Sequence, residues 1–359
     1  VCEKVACEDT KLRYSVSKQN TYQVTQSHLI RKKREKNKNM ENQPPNNGLI
    51  IQNQTEETLQ RLSLAMKLVE KITGKYQAEI KRGQPTAFVF LIDQSGSMAN
   101  GNLQYKGIAH TKAGLVTRIL NKTLEELVNK CTKLHGIGEY FDIAIIGYGQ
   151  DSEKANLLWE GNLQGKTWVT PSDLQENVQK QAYKVVKNVR NIQTEVELYE
   201  HSWFSAVAKN QTPMYAAFCE AENILKTWIS KNPYSYPPTI INITDGAATD
   251  ANDEKLIAKA NELKNLATND GNVLLFNVFV EASAKEATYF PADISQLPDD
   301  KHAKLLFEMS SLMPKNYHQE IATLFNLSTT QPFKAMVHNA GADALVNVMN
   351  VGTRTNQKI

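Results

Sequence analysis

The stretch FVFLIDQSGSM, residues 88–98, decides how the rest of the chain is read. From Ala87 to Ile92 the residues are apolar without a break, which is the pattern of a strand buried on both faces, as in the middle of a parallel sheet. The run stops at Asp93 and is followed by Ser95 and Ser97, with Gly96 between them. Asp and Ser at a strand end can simply form a turn or cap a helix. A carboxylate and two hydroxyls in five residues can also converge on a ligand.

Working outward, strands and helices alternate. A helical spacing of Leu59, Leu62, Met66, Val69 and Ile72 precedes the opening strand. A long helical stripe covers 108–131, and FDIAIIGYG (141–149) is a second strand. A short strand is expected in LLWEGN (157–162) and a helix over SDLQENVQKQAYKVVKNV (172–189). Residues 213–229 place Met214, Phe218, Ala221, Leu225 and Trp228 on one helical face, with Pro213 at its start. PTIINITD (238–245) is a strand that again ends in Asp; 252–268 reads as helix and NVLLFNVFVE (272–281) as strand. Amphipathic pieces follow in KHAKLLFEMSSL, HQEIATLF and DALVNVMNV. This alternation predicts a doubly wound α/β fold, with a mostly parallel central sheet and helices on both faces. Ligands of such sheets bind at the carboxyl ends of the strands, near a switch in strand order.

The 359 residues, 41% hydrophobic and 22% charged, describe an ordinary soluble globular composition. There is no apolar run long enough to span a bilayer and no secretory pattern at the start, which favours a cytoplasmic setting. Four cysteines are few, and Cys2 and Cys7 lack a nearby His that would complete a metal site. The net charge of +3 is uneven: residues 1–39 hold ten Lys/Arg against four Asp/Glu, while the remainder holds 31 against 34. The cluster RKKREKNKN could touch nucleic acid or anionic lipid, but the body of the chain has no basic excess. Residues 1–50 read as a disordered basic tail and linker, with Met40 as a candidate natural start, and 51–85 as a helix and lead-in. The main domain is placed at 86–330 with a polar insert at about 150–205, and 331–359 as a helical extension.

The oxygens at the strand ends form one set. Asp93, Ser95 and Ser97 follow the first strand, Thr212 precedes a helix in NQTPM, and Asp245 ends a strand in NITDG. In a parallel sheet all three loops open on one edge. Two carboxylates and three hydroxyls, without His or Cys, suit a hard divalent cation. In order and context, DQSGS, QTPM and ITDG resemble the metal-ion-dependent adhesion site of von Willebrand factor type A domains, over about residues 86–281. Within that family the chain looks most like intracellular bacterial members of the tellurium-resistance type.

The resemblance implies a Rossmann-like sheet with one antiparallel edge strand. It implies Mg²⁺, with Mn²⁺ or Ca²⁺ as alternatives, held by the hydroxyls of Ser95, Ser97 and Thr212, with Asp93 and Asp245 acting through bound water. The open coordination position would take an Asp or Glu of a protein partner, in some relatives a phosphatase, kinase or AAA+ ATPase. Two features depart from the pattern: the long insert, and Asn210-Gln211 before Thr212, where relatives often carry Gly. The resemblance makes this a binding module of an intracellular stress or signalling complex rather than an enzyme. A metal-dependent hydrolase and a nucleic-acid-associated protein acting through the tail are the alternatives. No G-x-S-x-G or P-loop pattern is present. Asp250 is expected to cap the 252–268 helix or to stand behind the site. His135, His201 and His302 read as surface residues, and the aromatics of YEHSWF (199–204) as core.

Overall fold

The computed structural model describes residues 75–189, 192–281, 286–328 and 332–352. The expected helix at 55–72, the basic tail and Cys2 and Cys7 lie outside those residues. In chain order the main elements are β1 (Thr86–Asp93), hairpin strands β2 (Leu103–Tyr105) and β3 (Ile108–His110), α1 (Lys112–Cys131), β4 (Phe141–Tyr148), β5 (Ala155–Leu157), the short α2 (Pro171–Glu176), β6 (Gln179–Val189) and β7 (Ile192–Ser202). There follow α3 (Met214–Lys231), β8 (Thr239–Thr244), α4 (Asp253–Asn265), β9 (Leu274–Phe279), β10 (Thr288–Tyr289), α5 (Lys301–Met309), α6 (Lys315–Phe325), β11 (Met336–His338) and α7 (Ala342–Gly352).

Seven strands form one sheet in the order β10-β11-β9-β8-β1-β4-β5. The five inner strands are parallel, and β5 and β10 close the edges antiparallel. The fold is therefore the doubly wound α/β class that the alternation predicts, with antiparallel strands at both edges where the resemblance implied one. Every residue of β1 is buried, and successive residues serve opposite layers. Phe88, Phe90 and Ile92 pack in the layer of α1, α6 and α7, whereas Val89 and Leu91 pack in that of α3, α4 and α5. Period-two alternation is invisible in the sequence because both faces are covered. From β1 the chain builds first to one side, to β4, and later to the other, to β8. The carboxyl end of β1 is thus the switch point of the sheet.

A chain of buried polar side chains crosses the inner strands. Tyr148 donates to Asn242 Oδ1 at 2.7 Å, Asn242 Nδ2 donates to Asn277 Oδ1 at 2.9 Å, and Asn277 Nδ2 donates to Ser310 Oγ at 3.0 Å. The Ser310 hydroxyl ends it by donating to the Leu306 carbonyl at 2.7 Å. These groups avoid the cost of an unmatched buried amide by serving one another.

Several local expectations change. The helix expected over 172–189 stops at Glu176, and Gln179–Val189 is a strand paired in register with Ile192–Ser202. Helix-favouring Gln, Lys and Ala in that stretch are overridden by pairing with a partner strand. The edge strand is Ala155–Leu157, slightly before LLWEGN. Residues 108–110 belong to a hairpin, and the helix starts at Lys112, after its N-cap Thr111. The sheet runs past residue 330, because Met336–His338 pairs with β9 and α7 packs its apolar face on the same layer as α1. Trp203 and Phe204 are core residues, as expected, while Tyr199 is exposed.

Candidate metal site

Asp93 ends β1 with no solvent exposure. Its Oδ1 accepts from the Ser95 amide at 2.8 Å, an Asx turn that swings the chain off the sheet. Its Oδ2 accepts from Thr244 Oγ1 at 2.6 Å, tying the ends of β1 and β8 together. The two serine hydroxyls then face each other, Ser95 Oγ to Ser97 Oγ at 3.0 Å, and Ser97 Oγ donates to Asp245 Oδ1 at 2.6 Å. Asp93, Ser95, Ser97 and Asp245 are therefore one connected set of oxygens, open to solvent at Ser97.

Thr212 makes no hydrogen bond to these four residues, and it is the backbone of its loop, at residues 209 and 210, that meets the first loop. Gly96 N donates to the Asn210 carbonyl at 3.0 Å, and Lys209 N donates to the Gln94 carbonyl at 2.8 Å. Thr212 N donates to Thr249 Oγ1 at 3.0 Å and the Thr249 amide returns a bond to the Thr212 carbonyl at 2.9 Å. The three loops are thus laced to one another. Two glycines permit the close approach: a Cβ on Gly96 would stand 2.8 Å from the Lys209 carbonyl oxygen, and one on Gly149, at φ +118°, would stand 2.5 Å from Ser95 N. Asn210, in the pair that departs from the family pattern, also clamps the insert by donating from Nδ2 to the Gln150 carbonyl at 2.7 Å.

Asp250 does not cap the 252–268 helix. Its carboxylate accepts from the amides of Tyr215 at 3.1 Å and Ala216 at 2.8 Å, capping α3, whereas α4 is capped by Asn252. That cap steadies the helix that begins directly after Thr212-Pro213. Sequence reading also missed Thr244 and Lys112. Thr244 carries a weak signal, a polar residue inside an apolar strand. Lys112 donates from Nζ to Asp245 Oδ2 at 2.9 Å, and the two side chains are only 15% and 0% exposed.

Burial lifts the Asp93 carboxyl above its ordinary pKa, the bonds from Ser95 and Thr244 act against that lift, and the nearby Asp245 charge adds to it. Beside the site lies a cavity of about 880 Å³ lined in part by Gln94, Trp159, Asp151, Glu153 and Asn210. Gln94 Oε1 and Trp159 Nε1 are buried at its wall without a partner among the described residues.

The set fits a small divalent cation. Around an octahedral ion with metal–oxygen distances of about 2.1 Å, neighbouring oxygens stand about 3.0 Å apart. The serine–serine separation of 3.0 Å matches that edge and the 2.6 Å bond to Asp245 is slightly inside it. Among the described residues no cluster of three or more His, Cys, Asp or Glu could hold a metal, so hydroxyls have to supply part of any such site. No helix among the described residues is long and apolar enough to cross a membrane.

No family model matches this chain, and no curated protein matches it. Among solved structures it is similar to the vWF domain of the type V pili tip protein Mfa5 from Porphyromonas gingivalis, at 12% identity and a TM-score of 0.37, over 76% of this chain and 98% of that one.

Proposed function

We propose that this chain is a divalent-cation-dependent protein-binding module of the von Willebrand factor A type. Its site would hold Mg²⁺ on the hydroxyls of Ser95, Ser97 and Thr212, with Asp93 and Asp245 behind them. The observation that carries the proposal is the connected set Asp93–Ser95–Ser97–Asp245 at the switch point, with octahedral-edge spacing between its hydroxyls. Bound there, Mg²⁺ supplies an electropositive centre with a coordination position open to an outside oxygen. The chain's own part is to orient the hydroxyls. The Asp93 turn aims Ser95 and Ser97, Thr244 fixes the second Asp93 oxygen, and Ser97 leaves one side of the set facing solvent. With only two carboxylates close by, a bound ion would keep part of its charge. An anionic guest, an Asp or Glu side chain of a partner protein, fits that position best.

The test is a thermal melt with and without Mg²⁺, paired with capture of partners from native lysate in Mg²⁺ or chelator. Asp93→Ala and Ser97→Ala should remove the Mg²⁺-induced rise in melting temperature and the chelator-sensitive capture, with circular dichroism unchanged. A melting temperature and a capture pattern indifferent to Mg²⁺ in the wild type would sink the proposal. Phosphoester turnover with Mg²⁺ or Mn²⁺, lost in the same variants, would replace it with a hydrolase.

A further inference from the structure

Lys112 is the first residue of α1, directly after its N-cap. A cation is disfavoured there, because the amino end of a helix is itself positive. The side chain nevertheless lies over the site, with its ammonium 2.9 Å from Asp245 Oδ2. The other Asp245 oxygen accepts from Ser97 at 2.6 Å. The carboxylate is thus enclosed on both oxygens by groups of this chain, and its side chain has no solvent exposure. The ammonium makes one contact, as a point charge on a flexible four-carbon stem, and it is partly exposed.

We propose that Lys112 is a tethered competitor for the divalent cation, neutralising Asp245 when no ion is bound and being displaced when one enters. This rests on the metal site proposed above and concerns its regulation. An ammonium and a divalent ion at the same carboxylate repel each other, so ion entry and the Lys112–Asp245 contact oppose one another. The competition lowers the affinity of the free protein for Mg²⁺. It also leaves a free ammonium at the rim once the ion is in, beside the place where an anionic partner would dock. The site is then tuned to load only weakly by itself, and to load better when a carboxylate arrives to pair with the displaced lysine.

The experiment is isothermal titration of the full chain with MgCl₂ and with MnCl₂, for wild type, Lys112→Met, Lys112→Arg and Asp93→Ala, with circular dichroism to confirm folding. Lys112→Met keeps the apolar stem and removes the charge, and should bind the ions at least about tenfold more tightly. Lys112→Arg keeps the charge and should stay as weak as wild type. The Mg²⁺-induced rise in melting temperature should be larger for Lys112→Met than for wild type. Equal affinity of wild type and Lys112→Met, or weaker binding by Lys112→Met, overturns the role of Lys112 and leaves the metal site standing, provided Asp93→Ala abolishes binding. If neither wild type nor Lys112→Met binds either ion, the metal site itself is overturned, and the competitor with it.

Discussion

At the middle of helix α1, Arg118 holds Glu200 with both arms of its guanidinium, Nε to Oε2 at 2.7 Å and Nη2 to Oε1 at 2.8 Å. Its Cζ lies 5.2 Å from the centre of the Tyr105 ring and 4.4 Å from that of Tyr183, and Nη1 donates to His110 Nε2 at 2.9 Å. At the first residue of the same helix, Lys112 meets Asp245 through a single contact. Both are cation–carboxylate pairs with little solvent around the cation, yet they do different work. The planar fork between two rings joins three separate pieces of chain, the β2–β3 hairpin, α1 and the long β6–β7 hairpin. A two-stranded hairpin is marginal by itself, and Arg118 helps to fasten this arm to the domain, together with the Asn121–Ser202 bond and the His201–Glu125 contact on the same helix. The ammonium joins only α1 and the loop after β8, through one hydrogen bond. Bidentate, stacked arginine and single-point lysine are not interchangeable, and here each sits where its chemistry suits the task.

The strongest way to break this comparison is to remove the fork. Arg118→Leu should cost about 3 kcal/mol, the lower end for a broken buried pair, because the Glu200 side chain keeps 26% exposure and regains water. Urea unfolding measures the loss, and limited proteolysis should show new cleavage within 179–202 while the sheet core stays protected. A loss as small as that of an exposed pair would mean that the arm is held by its apolar contacts instead.

Acid should loosen the same joint more gently. Burial first, and then the Arg118 charge, hold the His110 imidazole below its ordinary pKa, with Glu200 pulling the other way. A group depressed in the folded state takes up its proton more readily when unfolded. It stabilises the fold above the ordinary value of 6.5 and loses that contribution as pH falls through the folded value. The Glu200 carboxyl, held down mainly by its bond from Arg118, adds a second loss below its ordinary value of 4.5. Melting temperature should therefore drop between about pH 7.5 and about pH 5.5, and His110→Gln, which still accepts from Arg118, should flatten that part of the curve. The mildest change is on the arm's outer face, where Lys184 pairs with Glu195 in full solvent. Lys184→Ala should leave stability unchanged, since exposed pairs contribute little, and a measurable loss there would show that charge on the arm matters beyond the joint.

Much of the fold was legible because it is written in local runs. A parallel strand covered on both faces is apolar at most positions, and β1, β4, β8 and β9 read that way apart from single polar residues such as Asp142, Asn242 and Asn277. The amphipathic stripe of α3 was equally plain. The long hairpin was not, because β6 becomes a strand only by pairing with β7, and its composition alone favours helix. The site oxygens could be picked out because Asp93 and Asp245 interrupt apolar strands abruptly. The partners that fix them lie far off in sequence. Lys112 reaches a carboxylate 133 positions away, and Asp250 caps a helix 35 positions earlier in the chain. Neither spacing leaves a mark in a one-dimensional pattern, although a lysine directly after a helix N-cap is a small anomaly that could have prompted the question.

The polar chain of Tyr148, Asn242, Asn277 and Ser310 has a consequence for alignment. Strands that are apolar on both faces slide past one another with little penalty, since every register buries similar surface. Asn242 and Asn277 are directly paired across β8 and β9, and their amides bond to each other, while Tyr148 ties the same row to β4, beyond β1. A slip of one residue in any of these strands would strand a buried amide or hydroxyl against hydrocarbon. The row therefore acts as a ruler laid across the sheet, with marks that match in only one alignment. Loops projecting from neighbouring strands inherit that alignment, so oxygens contributed from opposite ends of the chain arrive at the same height. Replacing the row with leucine and valine would give a greasier sheet, and one that no longer knows where its own edge should be.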